Sequence, residues 1–303
     1  MTGPVRASTR PGDAETNLKQ YAATARASST TVIGHYSTSF GLAARLLDAH
    51  VRTPVRTIYA LVRIADEIVD GAATEAGVSV EEQRQLLDDL ELETERAIQR
   101  GYSTNLVVHA FADTARQCGI DSSLIAPFFA SMRRDLDPAP FTEQGVADYI
   151  YGSAEVIGVM CLRCFVHWSP RNDAELAVLE NGARRLGAAF QKINFLRDLS
   201  CDREVLGRNY FPGIEPLALT EQQKNVILDD IDADLGVAAA ALPLLQPGCR
   251  RAVAAAQGLF THLSRRLRST PADQLLRARV RVPDGEKLMI VLTSALGRGA
   301  WKR

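Results

Sequence analysis

Two pairs of aspartates are spaced so that the members of each pair lie one turn apart on one face of a helix. The pairs are Asp66 with Asp70 and Asp198 with Asp202. Residues four apart on a helix have Cβ atoms about 5–6 Å apart. Mg²⁺ prefers oxygen ligands, and proteins commonly hold it with one or two carboxylates and the phosphates of a substrate. The spacing therefore predicts Mg²⁺ sites, which Mn²⁺ would also fit, facing a diphosphate.

The first pair belongs to a longer polar stripe. Arg63 precedes Asp66 by three residues, and Tyr59 precedes Arg63 by four. The residues between them are mostly apolar, so the carboxylates lie beside a core, where a charge is costly unless it is paired or binds a metal. A lone acidic pair is usually a solvated helix face. The arginine and the apolar surroundings favour a metal and diphosphate site instead.

The second pair continues a stripe of amide side chains. Gln191 and Asn194 precede Asp198 on the same helical face, and Arg197 stands beside that face. Arginine suits phosphate oxygens because its planar guanidinium donates two parallel hydrogen bonds. Two such stripes on facing helices would hold a diphosphate between metal ions and arginines. That arrangement stabilises a departing diphosphate, and an apolar cavity would shelter the cation left behind.

Helical periodicity runs through most of the 303 residues, and no alternating strand pattern is evident. We predict an all-α fold, with a disordered tail over residues 1–16 and a single large helical domain over residues 17–303. Pro54 is predicted to open a long helix that ends near Asp70, with Gly71 as its stop. A further helix is predicted over residues 172–200.

Composition and charge exclude several other classes of protein. The net charge is -1, whereas binding to nucleic acid requires clustered cations. The N-terminus has no apolar leader, and the longest apolar run, 156–166, is interrupted by Arg163, so we expect a cytoplasmic protein without a spanning helix. The sequence contains no glycine-rich phosphate loop and no nicotinamide site, so we predict no nicotinamide cofactor and no reductive step.

With these motifs in place, the sequence resembles the squalene/phytoene synthase family, the head-to-head prenyl synthases. Five segments match the family's motifs in order: 37–40, 59–70, 151–158, 186–202 and 206–212. The resemblance implies an all-α fold with a central cavity. It also implies Mg²⁺-dependent condensation of two identical prenyl diphosphates through a cyclopropyl diphosphate.

The resemblance also implies roles for individual residues. Asp66, Asp70, Asp198 and Asp202 would bind Mg²⁺; Arg63, Arg197, Ser37, Gln191, Asn194 and Arg279 would hold diphosphate; and Tyr59 and Tyr151 would line the reaction site. Arg133, Arg134 and Asp135 fit either a charge cluster at a helix end or a flap near the first diphosphate. The resemblance favours the flap.

The sequences of the motifs are closer to those of bacterial phytoene synthases than to those of squalene synthases. Asp198 and Asp202 enclose Leu-Ser-Cys, where squalene-forming eukaryotic members usually carry an extra acid. We therefore expect a C20 substrate, geranylgeranyl diphosphate, and phytoene as the product. A C15 substrate, with squalene, hydroxysqualene or dehydrosqualene as the product, is the alternative. Two further hypotheses are a head-to-tail prenyltransferase and a non-catalytic helical scaffold. A lipid product would bring the protein into peripheral contact with a membrane.

Overall fold

The computed structural model describes residues 11–199, 209–214, 218–280, 283, 285–286 and 289–290. Within these ranges the chain forms helices joined by turns, and no β-strand occurs. The all-α prediction is therefore confirmed. The division into a tail and one domain stays a prediction.

The helices are numbered in chain order. They are α1 (Pro11–Tyr36), α2 (Thr38–Ala44), α3 (Ala49–Val69), α4 (Ala72–Glu75), α5 (Val80–Arg100), α6 (Leu106–Cys118), α7 (Ser122–Asp135), α8 (Glu143–Ile150), α9 (Val156–His167), α10 (Asp173–Arg197), α11 (Glu221–Ala241), α12 (Pro247–Ser269) and α13 (Ala272–Leu275). A π-helical turn, Tyr151–Glu155, joins α8 to α9, and a 3₁₀ turn, Leu242–Leu244, follows α11.

Two helices begin earlier than their sequences indicate. Helix α1 starts at Pro11, so residues 11–16, which we expected in the tail, are helical, while residues 1–10 lie outside the described ranges. Proline is well suited to a first helical position because no bond to its missing N–H is needed there. Helix α3 starts at Ala49, with Asp48 before it, and Pro54 lies inside the helix. The helix gains buried core residues there, which offset the single backbone hydrogen bond that Pro54 removes.

Helix α8, the π-turn and α9 form one continuous segment, Glu143–His167. By length and composition this segment could cross a membrane, whereas we expected no such helix. It packs in the middle of the protein against α3, α7 and α10. Val156, Val159 and Leu162 are buried there. The core position explains the apolar composition.

Helices α9 and α10 approach each other closely because glycines face the opposing backbone. A Cβ added to Gly158 would lie 2.5 Å from the carbonyl oxygen of Ala183. A Cβ added to Gly187 would likewise lie 2.5 Å from the carbonyl oxygen of Ala154, in the π-turn. Only glycine permits such close contact. This packing holds the π-turn directly against α10, the helix that carries the second aspartate stripe.

Candidate active site

An apolar cavity of about 260 Å³ lies between α2, α3, α9, α10, α11 and α12. Eleven of its twenty-five lining residues are alanine or glycine, and the hydroxyl of Ser153 is the main polar group among them. Along α10 the lining runs from Leu179 to Phe190, which corresponds to about 16 Å of helix. A narrow apolar space of this kind suits a hydrocarbon chain and excludes water.

Helices α3 and α10 carry stripes of residues with identical spacing, and one end of each stripe lines this cavity. In α3 the stripe consists of Val55, Tyr59, Arg63, Asp66 and Asp70; in α10 it consists of Ala183, Gly187, Gln191, Asn194 and Asp198. Successive members are four, four, three and four residues apart in both helices. Val55, Ala183 and Gly187 line the cavity. Each stripe therefore starts in the apolar cavity and becomes polar toward the C-terminal end of its helix.

Both helices end on an aspartate. Asp70 is the C-terminal cap of α3, and its backbone N–H donates to the carbonyl oxygen of Asp66 at 2.9 Å. Asp198 is the cap of α10, which ends at Arg197 rather than at Ser200 as expected, and its N–H donates to the oxygen of Asn194 at 2.9 Å. A negative charge at a helix C-terminus is unfavourable by roughly 0.3–1 kcal/mol. Two carboxylates in such positions favour a role in binding cations.

The C-terminal end of α3 carries more acid than base. We name Arg63, Asp66, Glu67 and Asp70 the α3 carboxylate cluster. The Arg63 guanidinium donates to Asp66 Oδ2 at 2.6 Å and also pairs with Glu67. Burial acts to lower the pKa of Arg63, but the two carboxylates outweigh it, and the pKa is raised. Glu67 is not among the site residues predicted from the sequence, although it directly follows Asp66.

The C-terminal end of α10 carries more base than acid among the described residues. We name Gln191, Asn194, Arg197, Asp198 and Arg279 the α10 arginine cluster. The Arg197 guanidinium forms a bidentate pair with the Asp198 carboxylate, in which Nε donates to Oδ1 at 2.9 Å and Nη2 donates to Oδ2 at 2.5 Å. Arg279 Nε lies 2.7 Å from Asp198 Oδ1. The buried Oδ1 of Asn194 has no hydrogen-bond partner within the described residues. The predicted ligand Asp202 lies outside them.

Tyr59 and Ser37 lie together at the edge of the cavity. The Ser37 hydroxyl caps α2 by accepting from the Phe40 N–H at 3.1 Å. The Phe40 ring lines the cavity and stacks on Tyr59, with centroids 5.4 Å apart. Burial raises the pKa of Tyr59, partly opposed by its hydrogen bond with Ser37. Tyr59 is therefore a neutral phenol whose ring faces the apolar side of the site.

Tyr151 opens the π-turn, an element that frequently marks functional sites. Ser153 and Ala154 in the same turn line the cavity. The Arg184 guanidinium lies 5.2 Å from the centre of the Tyr151 ring and donates to Glu155 Oε2 at 2.7 Å. Neither Arg184 nor Glu155 was identified from the sequence, because nothing in their local spacing connects them to Tyr151.

The charged residues at the end of α7 fasten that helix to its neighbours. Arg133 pairs with Glu91 at 2.5 Å, and Arg134 donates to a carbonyl oxygen just beyond the helix at 2.8 Å. Asp135 is buried and accepts from the Tyr149 hydroxyl at 3.0 Å. These contacts favour a charge cluster at the helix end over the flap that the resemblance suggested.

The donors at both clusters suit Mg²⁺. No group of three His, Cys, Asp or Glu side chains in the described part of the chain is arranged to hold a metal alone. Mg²⁺ does not require such a group when substrate phosphates supply ligands. The carboxylates, together with the unpartnered oxygen of Asn194, are hard oxygen donors of the right kind.

The Squalene/phytoene synthase family model matches residues 33–286. A 15-cis-phytoene synthase from Paracoccus sp. is 28% identical over 90% of each chain. A 4,4'-diapophytoene synthase from Staphylococcus haemolyticus is 28% identical over 59% of each chain. Among solved structures, a dehydrosqualene synthase has a TM-score of 0.75 at 21% identity, covering 92% of this chain and 98% of that one. A squalene synthase from Alicyclobacillus acidocaldarius has a TM-score of 0.67 at 19% identity, covering 84% and 97%.

Proposed function

This chain belongs to the squalene/phytoene synthase family, whose members act on prenyl diphosphates, and we propose that it joins two geranylgeranyl diphosphates head to head to give phytoene. The observation that carries the proposal is one apolar cavity shared by two helices whose polar ends bear carboxylates and arginines. The cavity takes the prenyl chains, and the two clusters take the diphosphates.

Two observations support a C20 over a C15 substrate. Alanine and glycine make up eleven of the twenty-five cavity-wall residues, so small side chains line much of the space for a prenyl chain. The Paracoccus relative, named a phytoene synthase, matches over 90% of each chain, whereas the diapophytoene synthase matches over 59%. The solved structures support the fold alone, because their identities are 21% and 19%.

The first half of the proposed reaction breaks the C1–O bond of one substrate. Arg63, Arg197 and Arg279 bind the oxygens of the departing diphosphate and stabilise its charge. The double bond of the second substrate attacks the resulting allylic cation, and loss of one proton closes a cyclopropane ring. The rings of Tyr59 and Tyr151 present π-faces that stabilise a nearby cation. The cavity wall keeps water from capturing it.

The second half breaks the C–O bond of the cyclopropyl diphosphate. The ring then opens and rearranges, and a second proton is lost to give the linear C40 hydrocarbon. Each half therefore releases one diphosphate and one proton. No electrons are taken up, so the reaction needs no nicotinamide.

We propose that Asp66, Asp70 and Asp198 hold Mg²⁺, with Asp202 as a further ligand that stays a prediction. When bound, the metal supplies positive charge to the leaving diphosphate. The arginines that now bind Asp66 and Asp198 then have phosphate oxygens as alternative partners.

The experiment that tests the proposal is a product assay. The intact protein is incubated with Mg²⁺ and either geranylgeranyl or farnesyl diphosphate, and the hydrocarbon extract is analysed. We expect phytoene from the C20 substrate, and no turnover after chelation of the metal. A C30 product from farnesyl diphosphate, either dehydrosqualene formed by proton loss or hydroxysqualene formed by capture of water, with no C40 product, would replace the proposal by a synthase that acts on the C15 substrate. A longer prenyl diphosphate after addition of isopentenyl diphosphate would contradict head-to-head chemistry.

A further inference from the structure

A second charged surface lies where α3, α10 and α12 begin, at the opposite ends of α3 and α10 from the two clusters. The His50 ring at the start of α3 contacts the Trp168 ring just before α10, with centroids 5.4 Å apart. Gly248 in the first turn of α12 lies against the Asp48 carboxylate that precedes α3. Helix α3 spans about 30 Å, so this surface is far from the α3 carboxylate cluster. We name it the distal surface.

Two lining residues of the cavity, Leu47 and Leu245, are also hydrogen-bonded to arginines near the distal surface. The side chains of Leu47 and Leu245 line the cavity. The carbonyl oxygen of Leu47 accepts from Arg52 at 2.6 Å, and that of Leu245 accepts from Arg250 at 3.0 Å. Leu47 and Leu245 thus line the apolar cavity, and their backbone carbonyl oxygens accept hydrogen bonds from arginines of the distal surface.

The distal surface is rich in arginine. Its members are Arg45, Arg52, Arg56, Arg171 and Arg250, and the acids near them are Asp48, Asp173 and Glu175. Burial and the charges of Arg52 and Arg45 lower the pKa of Arg56, as expected where arginines crowd together. The starts of α3, α10 and α12 add the positive ends of three helix dipoles. The surface is therefore electropositive on a chain of net charge -1.

Trp168 gives the distal surface an exposed aromatic side chain. Nearly half of its surface is accessible (47%), and its ring makes edge contacts with His167 and His50. Tryptophan favours the boundary between water and lipid, because its ring is apolar and its N–H is polar. An exposed tryptophan among arginines fits the headgroup region of an anionic membrane.

We propose that the distal surface docks the protein on an anionic phospholipid membrane. The arginines bind the lipid phosphates, and Trp168 enters the headgroup layer. Because Leu47 and Leu245 line the cavity and are bonded to arginines of this surface, docking brings the apolar cavity close to the bilayer, where a hydrocarbon product leaves without crossing water. Release of the product rests on the proposed function, whereas docking does not.

Vesicle sedimentation tests the docking. We expect the protein to bind phosphatidylcholine vesicles containing about a third phosphatidylglycerol and to bind pure phosphatidylcholine far more weakly. Arg45 and Arg250 are exposed, and the double variant Arg45→Gln/Arg250→Gln should bind the anionic vesicles about 30-fold more weakly. The control Arg96→Gln/Arg265→Gln removes the same charge from exposed positions on α5 and at the far end of α12, and should bind like the wild type.

Tryptophan fluorescence provides a second measurement. The chain has two tryptophans, so Trp301→Phe leaves Trp168 as the single reporter. Its emission should shift to the blue on anionic vesicles and be quenched by brominated lipids. Equal loss of vesicle binding in both double variants, or emission from Trp168 that does not change on bound vesicles, would overturn the proposal.

Activity in detergent separates this proposal from the proposed function. Arg45 and Arg250 lie outside both clusters, so Arg45→Gln/Arg250→Gln should retain wild-type turnover of detergent-dispersed substrate while losing vesicle binding. Loss of that turnover together with binding would show a folding defect in the variant. The second variant, Trp168→Ala, leaves every arginine in place and then decides the question. It must bind vesicles more weakly at unchanged turnover, or the proposal fails. Vesicle binding by a wild-type protein that makes no C40 product would leave the docking intact and contradict the proposed function alone.

Discussion

The α3 carboxylate cluster and the α10 arginine cluster occupy equivalent places on helices with the same spacing, yet the charge balance of their described residues is opposite. The α3 cluster has three carboxylates and one guanidinium, whereas the described α10 cluster has two guanidiniums and one carboxylate. Where α3 has Arg63 and Asp66, α10 has the neutral amides Gln191 and Asn194. Under the proposed function, we therefore expect a division of work in which the α3 carboxylates bind mainly metal, while Arg197 and Arg279 bind mainly phosphate oxygens.

The cavity ends of the stripes differ as well. Tyr59 in α3 corresponds to Gly187 in α10. Tyr59 stacks on Phe40 beside the open cavity, while Gly187 lies against the backbone of Ala154 in the π-turn. One helix thus contributes an aromatic side chain to the site. Helix α10 has no side chain at Gly187, which allows the π-turn that begins with Tyr151 to pack closely against it.

The largest expected effect is that of Asp66→Asn in the α3 cluster. We predict a fall in kcat/KM of about 10²–10³-fold, because the substitution removes a proposed ligand of the metal that stabilises the leaving group. Part of the activity should return at high Mg²⁺ concentration. Steady-state kinetics over a Mg²⁺ series measure both effects. Asp89→Asn, an exposed acid on α5, serves as the control. A rise in KM with an unchanged Mg²⁺ requirement would contradict the division of work.

Arg279→Gln should produce the complementary change. We predict a rise of about 10-fold in KM for the prenyl diphosphate, because one charge-assisted hydrogen bond to phosphate is lost. The Mg²⁺ concentration for half-maximal rate should not change. Arg277→Gln, two residues earlier and 77% exposed, is the matched control. An altered Mg²⁺ requirement in Arg279→Gln would contradict the expected division of work, because Arg279 would then contribute to metal binding.

Ala252→Phe tests the cavity that both stripes share. Ala252 lines the cavity and is 4% exposed. The larger ring takes up space for the prenyl chain, so the ratio of C20 to C15 turnover should fall by about 10-fold, within the range set by small differences in apolar pockets. Ala240→Phe on the exposed face of α11 makes the same change outside the cavity. An equal loss for both substrates would mean that the side chain disrupts packing rather than chain-length selection.

Gly187→Ala is expected to act mainly on stability, and it tests the contrast between Gly187 and Tyr59. The added Cβ must push α10 away from Ala154, and we predict a loss of about 1–3 kcal/mol in the free energy of unfolding. Gly236→Ala on α11 has open space around it and should stabilise by about 0.5–1 kcal/mol. Urea denaturation measures both. Similar effects from the two substitutions would rule out the close approach at Gly187.

Local spacing predicted the parts of the site that lie on single helices. Asp66 and Asp70 were visible because residues four apart share a helix face, and Arg63 because it continues that face. Arg279 lies 81 residues from Asp198, and its place at the site followed from the family resemblance rather than from any pattern. The cavity and the pairing of Arg184 with Glu155 depend on how helices pack, which no local spacing records. Pro54 was misjudged because burial of neighbouring residues outweighed its preference for a helix start.

The most direct test of the division of work is calorimetric titration of the intact protein with an unreactive thio analogue of geranylgeranyl diphosphate, with and without Mn²⁺. The wild-type protein should bind the analogue more tightly when Mn²⁺ is present. Asp66→Asn should lose that gain and keep the metal-free affinity, while Arg279→Gln should weaken binding under both conditions and keep the gain. Equal loss of the Mn²⁺-dependent gain in both variants would show that the two clusters do not divide metal and phosphate binding between them.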